Sequence, residues 1–164
     1  MDLSVLIDVK VLILLFVANG APVIAKDILR RRFQVPLDGG LRFFDGQPVL
    51  GHSKTIRGIF FSLLGTAIAT PLVGLNWTIG LLIAGAAMSG DLVSSFLKRR
   101  LKRPPSSRAI GIDQLPEAVF PLLVCMRLLS LNLWDVTAVA LAFLVAELAV
   151  SRLLYKLHIR DRPY

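Results

Sequence analysis

Between Arg57 and Asp91 the chain runs for 33 residues without a charged side chain. Drawn out as one helix, such a stretch is about 50 Å long, against a bilayer hydrocarbon core of about 30 Å. It has to fold back on itself. Pro71, Gly74 and Asn76 mark the reversal, and Trp77 beside them suits an interfacial anchor. This predicts spans near residues 56–73 and 77–97. Further apolar runs predict a first span at 3–25, a fourth at 116–131 and a fifth at 136–154, with Asn132 to Asp135 as a tight connection. The expected fold is all-α: one polytopic membrane domain of five transmembrane helices over residues 1–164, without an internal repeat.

Composition bounds the alternatives. With 55% hydrophobic and 18% charged residues the chain is too apolar to be disordered, and its single cysteine, Cys125, excludes a disulfide scaffold. The net charge is nonetheless +8. Of the 19 Lys and Arg residues, 17 follow the first span, follow the third span or lie in the C-terminal tail, which share one side of a five-span topology. Only Lys10 and Arg127 fall elsewhere. The positive-inside rule then puts the N-terminus outside and both basic loops and the C-terminus in the cytoplasm. The first segment reads as a retained span, because no basic residue precedes Lys10 and Ala18-Asn19-Gly20-Ala21-Pro22 is a poor cleavage site. The expected location is the cell membrane, with membrane lipids as partners and no nucleic acid; the oligomeric state stays open.

The basic loops exceed what orientation needs. Arg30, Arg31 and Arg32 suit anionic headgroups. The segment from Asp38 to Gly58 has five glycines and ends in Lys54-Thr55-Ile56-Arg57-Gly58 at the mouth of the second span. Glycines let backbone amides approach phosphate, while Lys, Thr and Arg supply side-chain donors. It is not a P-loop, since the spacing around Lys54 does not fit one.

Asp91 is expected a turn or two inside the membrane boundary, where a carboxylate is costly and marks a site by default. On a helix it shares one side with Ser94, Ser95 and Lys98. It reads either as a structural partner of Lys98 or Arg127, or as a metal ligand facing a phosphate pocket, since Mg²⁺ takes carboxylate and phosphate oxygens. Asp113 and Glu117 flank Pro116 and suit the capped start of a helix; Asp113 could also complete a two-carboxylate metal site with Asp91. Arg127 and Glu147 read as a buried ion pair with either a structural or a site-supporting role, and Asn19 as an interhelical hydrogen-bonding group. His52 and His158 have no metal-ligand spacing, and Cys125 reads as a packed apolar residue.

Gly90-Asp91-Leu92, followed by Ser95, Lys98-Arg99 and, after a basic loop, Asp113, resembles the signature of the CDP-diacylglycerol synthases. Ser94 stands where that pattern usually has Glu, and its Lys-Asp and His-Gly-Gly elements are missing. The chain is more similar to the shorter archaeal branch, the CDP-archaeol synthases. The similarity includes Ala-Asn-x-x-Pro at Ala18 to Pro22 and a Phe-Asp-Gly…Gly-x-x-Lys-Thr-x-Arg-Gly loop from Phe44 to Gly58. The resemblance implies a Mg²⁺-dependent transfer of CMP from CTP to an isoprenoid ether lipid phosphate, releasing pyrophosphate. It implies catalytic roles for Asp91, Asp113 and Lys98, with the two aspartates also binding the metal. Lys54, Thr55, Arg57, Ser95, Arg99, Lys102, Asn19 and Asp45 are then the expected substrate-binding groups. A small transporter or substrate-binding subunit for an anionic solute is the alternative, but the charges lie at the boundary rather than the midplane. A noncatalytic lipid scaffold would not need Asp91, and a CDP-alcohol phosphotransferase would continue Asp45-Gly46 with Ala-Arg.

Overall fold

The computed structural model describes residues 3–30, 32–104 and 111–156. It contains α1 (Leu3–Leu29), α2 (Ile56–Leu72), α3 (Trp77–Arg100), α4 (Gln114–Cys125) and α5 (Leu133–Lys156). Among the described residues there is no strand, only isolated bridges at Pro36–Thr55 and Arg42–Pro48. By length and apolarity α1, α3 and α5 are able to cross a membrane, whereas α2 and α4 are shorter apolar helices. On α2 the residues Phe60, Leu64, Ile68 and Leu72 recur every fourth position and all face outward. An apolar exterior on a helical bundle is the mark of an integral membrane protein.

The reversal after α2 falls in the expected place. Val73 and Leu75 N–H groups bond to Thr70 O at 3.2 and 3.1 Å, Gly74 adopts φ +74°, and Asn76 caps α3 through the Thr78 N–H at 3.0 Å. The connection before α5 is as tight. Asn132 Oδ1 accepts from the Trp134 and Asp135 N–H groups, while Asp135 Oδ2 accepts from the Asn132 N–H at 2.8 Å.

The fourth segment differs from expectation. Helix α4 begins at Gln114 and ends at Cys125, six residues before the predicted boundary at 131. A helix of 12 residues rises only about 18 Å. The chain then turns, with Leu129 N–H bonded to Cys125 O at 2.9 Å, Leu131 N–H to Met126 O at 2.8 Å and Ser130 at φ +53°. Arg127 lies exposed in this turn, about 20 Å of helix rise from Glu147 on α5. The expected Arg127–Glu147 pair is therefore not formed.

Close packing rests on small residues, because lipid offers no hydrophobic drive for helices to associate. Pro22 lacks an N–H and leaves Ala18 O without its helical donor; Ser62 Oγ on α2 supplies the bond at 2.7 Å. Thr66 and Thr70 continue this buried polar stripe by donating to Ser62 O and Thr66 O. Val11, Leu14, Leu15, Ile83, Leu122, Cys125 and Phe143 form the apolar centre, so Cys125 is a packed residue as expected. At the α3–α4 crossing, a Cβ at Gly90 would overlap the Pro116 carbonyl.

That last contact is with backbone, which cannot step aside. Gly90→Ala is expected to destabilise the protein by about 1–3 kcal/mol through overpacking. Gly85→Ala, where nothing lies within 4 Å, serves as control. Thermal unfolding in detergent would separate them; equal midpoints would show that α4 is not seated through Gly90.

Candidate active site

The loop between α1 and α2 is folded around one carboxylate. Asp38 accepts from the Gly40 N–H at 3.0 Å and from the Leu50 and Gly51 N–H groups at 2.9 Å. Burial alone would raise its pKa, but the Gly51, Leu50 and Gly40 amides outweigh it and hold the carboxyl below its usual range. Leu37 N–H to Lys54 O (2.8 Å) and Ile56 N–H to Val35 O (3.1 Å) close the loop's base. Thr55 then caps α2 by accepting from the Gly58 N–H at 3.2 Å. The result is a fixed exit direction for Lys54.

Lys54 Nζ reaches both oxygens of Asp91 on α3 at 2.5 Å, with the side chains 21% and 18% exposed. Two turns further along α3, Lys98 Nζ meets Asp113 Oδ1, just before α4, at 2.6 Å. The third helix thus offers an aspartate to one neighbour and a lysine to the other. Glu117 on α4 is buried and lies near the Asp91 carboxyl, with Glu147 of α5 close by. Asp91, Glu117 and Glu147 line a cavity of about 260 Å³ together with Asn19, Pro22 and Lys26 of α1 and Ser53, Lys54 and Thr55 of the loop. A second lobe of about 210 Å³ shares Pro22, Lys26, Ser53, Thr55 and Gly58 and adds Gln34, His52 and Arg57.

A groove at one end of the bundle therefore juxtaposes carboxylates with lysines, the donor set for a hard cation and polyphosphate. A family model described as CarS-like, CDP-archaeol synthase, matches residues 72–164. The CDP-archaeol synthase of Pyrobaculum calidifontis is 34% identical over 91% of this chain and 92% of its own. That of Thermofilum pendens is 32% identical over 91% and 76%. This chain belongs to the CDP-archaeol synthase family. A solved structure of an intramembrane enzyme for archaeal membrane lipids biosynthesis superposes with a TM-score of 0.77 and 28% identity, covering 87% of this chain and 90% of that one.

In this member of the CDP-archaeol synthase family the expected site residues separate into two groups. Asn19, Lys54, Thr55 and Asp91 line the groove, and Lys98 and Asp113 pair with each other. The others are held by contacts of their own, Arg57 while also lining the second lobe. Arg57 is buried and donates to Arg30 O and Arg32 O, at 3.0 and 2.5 Å, so it clasps the end of α1 to the start of α2. Arg99 is buried and donates to Arg103 O, closing the turn after α3. Lys102 is exposed in that turn at φ +55°, and Ser95 is buried on α3 outside both lobes. Asp45 Oδ1 accepts from Arg100 NH1 at 2.9 Å and from the Gln47 N–H at 3.0 Å, well along the loop.

Three local expectations change. Asp91 pairs with Lys54 rather than with Lys98 or Arg127, because the loop delivers Lys54 to the same helix face. Asp113 makes no side-chain cap on α4; its carboxyl is turned to Lys98. Asn19 donates to Leu15 O within its own helix, at 3.0 Å, rather than across helices. Arg31, Arg108, His158, Arg160 and Arg162 lie outside the described residues. Sequence reasoning passed over Asp38, Lys26 and the cavity position of Glu117, and left Glu147 between a structural and a site-supporting role. The rule that an intramembrane carboxylate marks a site applies to Glu147 as it did to Asp91.

Because the folded Asp38 carboxyl titrates below the unfolded one, its contribution is complete above about pH 4. It is lost as the pH falls through the lowered value. At near-neutral pH, Asp38→Ala is expected to speed exchange of the Leu50 and Gly51 amides at least about tenfold, the worth of one lost hydrogen bond to a charged group. Unchanged exchange would mean that the loop does not depend on Asp38.

Proposed function

We propose that this protein performs a Mg²⁺-dependent transfer of CMP from CTP to an isoprenoid ether lipid phosphate, giving CDP-archaeol and pyrophosphate. Membership of the CDP-archaeol synthase family makes it a CTP-dependent cytidylyltransferase of archaeal lipid biosynthesis, and the transporter and scaffold readings fall with that assignment. The observation that carries the finer reading is the Lys54–Asp91 contact at the wall of a groove shared by α1 to α5. It puts fixed positive charge and hard oxygen donors at one point, where two polyanions have to meet.

The acceptor's phosphate monoester is largely ionised near neutral pH, since its second pKa is about 6. It needs no dedicated base to attack the α-phosphorus of CTP; the bond to the β-phosphate oxygen breaks and pyrophosphate leaves. The remaining task is to hold mutually repelling phosphates together. Lys54 in the groove and Lys98 two turns away supply charge for this, with Thr55 and Asn19 as neutral groups in the groove wall. Asp91 and Asp113 would hold Mg²⁺, for which their carboxylates are suited and to which Glu117 stands close on the Asp91 side. When bound, such an ion would offset negative charge on the phosphates as the new bond forms.

The whole chain acts here as one membrane-embedded unit, with the N-terminus outside and the C-terminus and site facing the cytoplasm. Lys10 lies beside Gly74 at one end of the bundle, while Lys54, Arg57, Lys98, Arg99 and Arg100 gather at the other, which supports that orientation. Five crossings need α4 to be completed by its following turn. Leu129 and Leu131 in that turn are buried against protein, as irregular backbone at membrane depth has to be.

Asp91→Asn and Asp113→Asn are each expected to abolish most CTP-to-CDP-lipid turnover, as is chelation of divalent metal. Lys54→Ala should raise the requirement for CTP or lipid phosphate about tenfold or more, from the loss of one charge-assisted contact. Size-exclusion profiles would monitor folding in each case. Wild-type turnover in the Asp91→Asn variant would overturn the site assignment.

Beside its polar and charged groups the groove has an apolar wall of Pro22, Val23, Ile59 and Leu92, whose side chains carry nothing polar to read a hydrocarbon tail. Apolar contacts discriminate by about 1–3 kcal/mol per methylene even in a fitted pocket. Tolerance of tail length and saturation is therefore expected, alongside a strict requirement for the phosphate monoester. Competition between an isoprenoid ether phosphate, a short-tailed analogue and the dephosphorylated alcohol tests this. A large penalty for the short tail, or turnover of the alcohol, would contradict it.

A further inference from the structure

The Phe-Asp-Gly element of the first loop does not reach the groove; it forms a hairpin pinned to the last turn of α3. The hairpin closes through the Arg42–Pro48 bridge, with Phe43 N–H bonded to Gln47 O at 2.8 Å and Gly46 N–H to Phe43 O at 2.9 Å. Arg100 fastens it. Its guanidinium stacks over the rings of Phe43 and Phe96, 4.5 and 4.9 Å from their centroids, and donates to Asp45 Oδ1 and Pro48 O at 2.9 and 2.7 Å. Phe43 also meets Phe96 edge-on at 5.5 Å. On this firmly held platform Phe44 at the tip is 101% exposed.

We propose that the tip of this hairpin is seated in the polar–apolar boundary of the cytoplasmic leaflet, with Phe44 as its anchor. Two features name the bilayer as the occupant. The first is continuity: Val93 and Leu97 on α3, with Leu101 just after it, form an outward apolar stripe at the level where Phe96 receives Phe43, so the hairpin joins a lipid-facing surface. The second is charge: Arg42 on the hairpin and Lys102 just beyond Arg100 are exposed and complement anionic headgroups, while an aromatic ring prefers the headgroup level. Asp45 then acts as the latch that keeps the tip at this depth. Such an anchor would hold the loop carrying Lys54 at a constant height above the bilayer. The inference rests on the proposed reading that α3 ends at the cytoplasmic boundary.

The test is Phe44→Trp in a Trp77→Phe, Trp134→Phe background, reconstituted in vesicles of zwitterionic and anionic phospholipid with or without bromine on the upper acyl chain. A matching protein that keeps only Trp77 is the control. The new indole is expected to lose at least half its emission in brominated vesicles and to be poorly quenched by aqueous iodide. Emission unaffected by bromine and freely quenched by iodide, with Trp77 still quenched by bromine, would overturn the anchor and leave the spanning reading intact. Failure of bromine to quench Trp77 as well would overturn both.

Discussion

An ammonium group held by both oxygens of an aspartate, in a cleft between helices, is the contact around which the rest of this structure is arranged. Lys54 comes from a loop and Asp91 from α3, where it ends the uncharged run that begins after Arg57. Neither charge is easily accommodated alone at that depth, since removing one partner of a partly buried pair leaves the other uncompensated. The Lys98–Asp113 pair repeats the device two turns away and joins the third helix to the fourth. The polar end of the bundle is thus cross-linked by two ion pairs.

Reaching that arrangement depends on backbones coming close. Gly90 directly precedes Asp91 and lies against the Pro116 carbonyl, so α4 brings Glu117 to Asp91 only because no Cβ intervenes. Pro22 frees a carbonyl on α1 that Ser62 of α2 satisfies, which fixes the side of the groove carrying Asn19 and Lys26. In lipid an unsatisfied carbonyl is costly, so this bond orients the two helices as well as joining them. The Ala-Asn-x-x-Pro element therefore has a structural account beside its place in the groove.

Not every basic residue at the end of the bundle that carries the groove is available to a substrate. Arg57, Arg99 and Arg100 donate to backbone carbonyls, and Arg100 also stacks on two aromatic rings. A planar guanidinium with five donors suits such clasping, whereas a lysine presents a mobile point charge. The division is consistent: arginines hold the loops, and Lys54 and Lys98 stand at the carboxylates.

The amino-acid sequence by itself determined what depends on local composition. The uncharged run between Arg57 and Asp91 forced a helical reversal at Pro71 to Asn76, and Asp91 stood out because a carboxylate in apolar surroundings is expensive. Family motifs drew attention to Lys54, Thr55, Lys98 and Asp113. Sequence spacing on one helix suggested Asp91 with Lys98, yet the partners proved to be Lys54 and Asp113, from other segments. The early end of α4, the separation of Arg127 from Glu147 and the roles of Asp38 and Glu117 were likewise decided only by tertiary structure. The physical reason is common to all of them. Which opposite charge or donor a group finds depends on how helices and loops approach in space, and helical periodicity constrains only neighbours on the same helix.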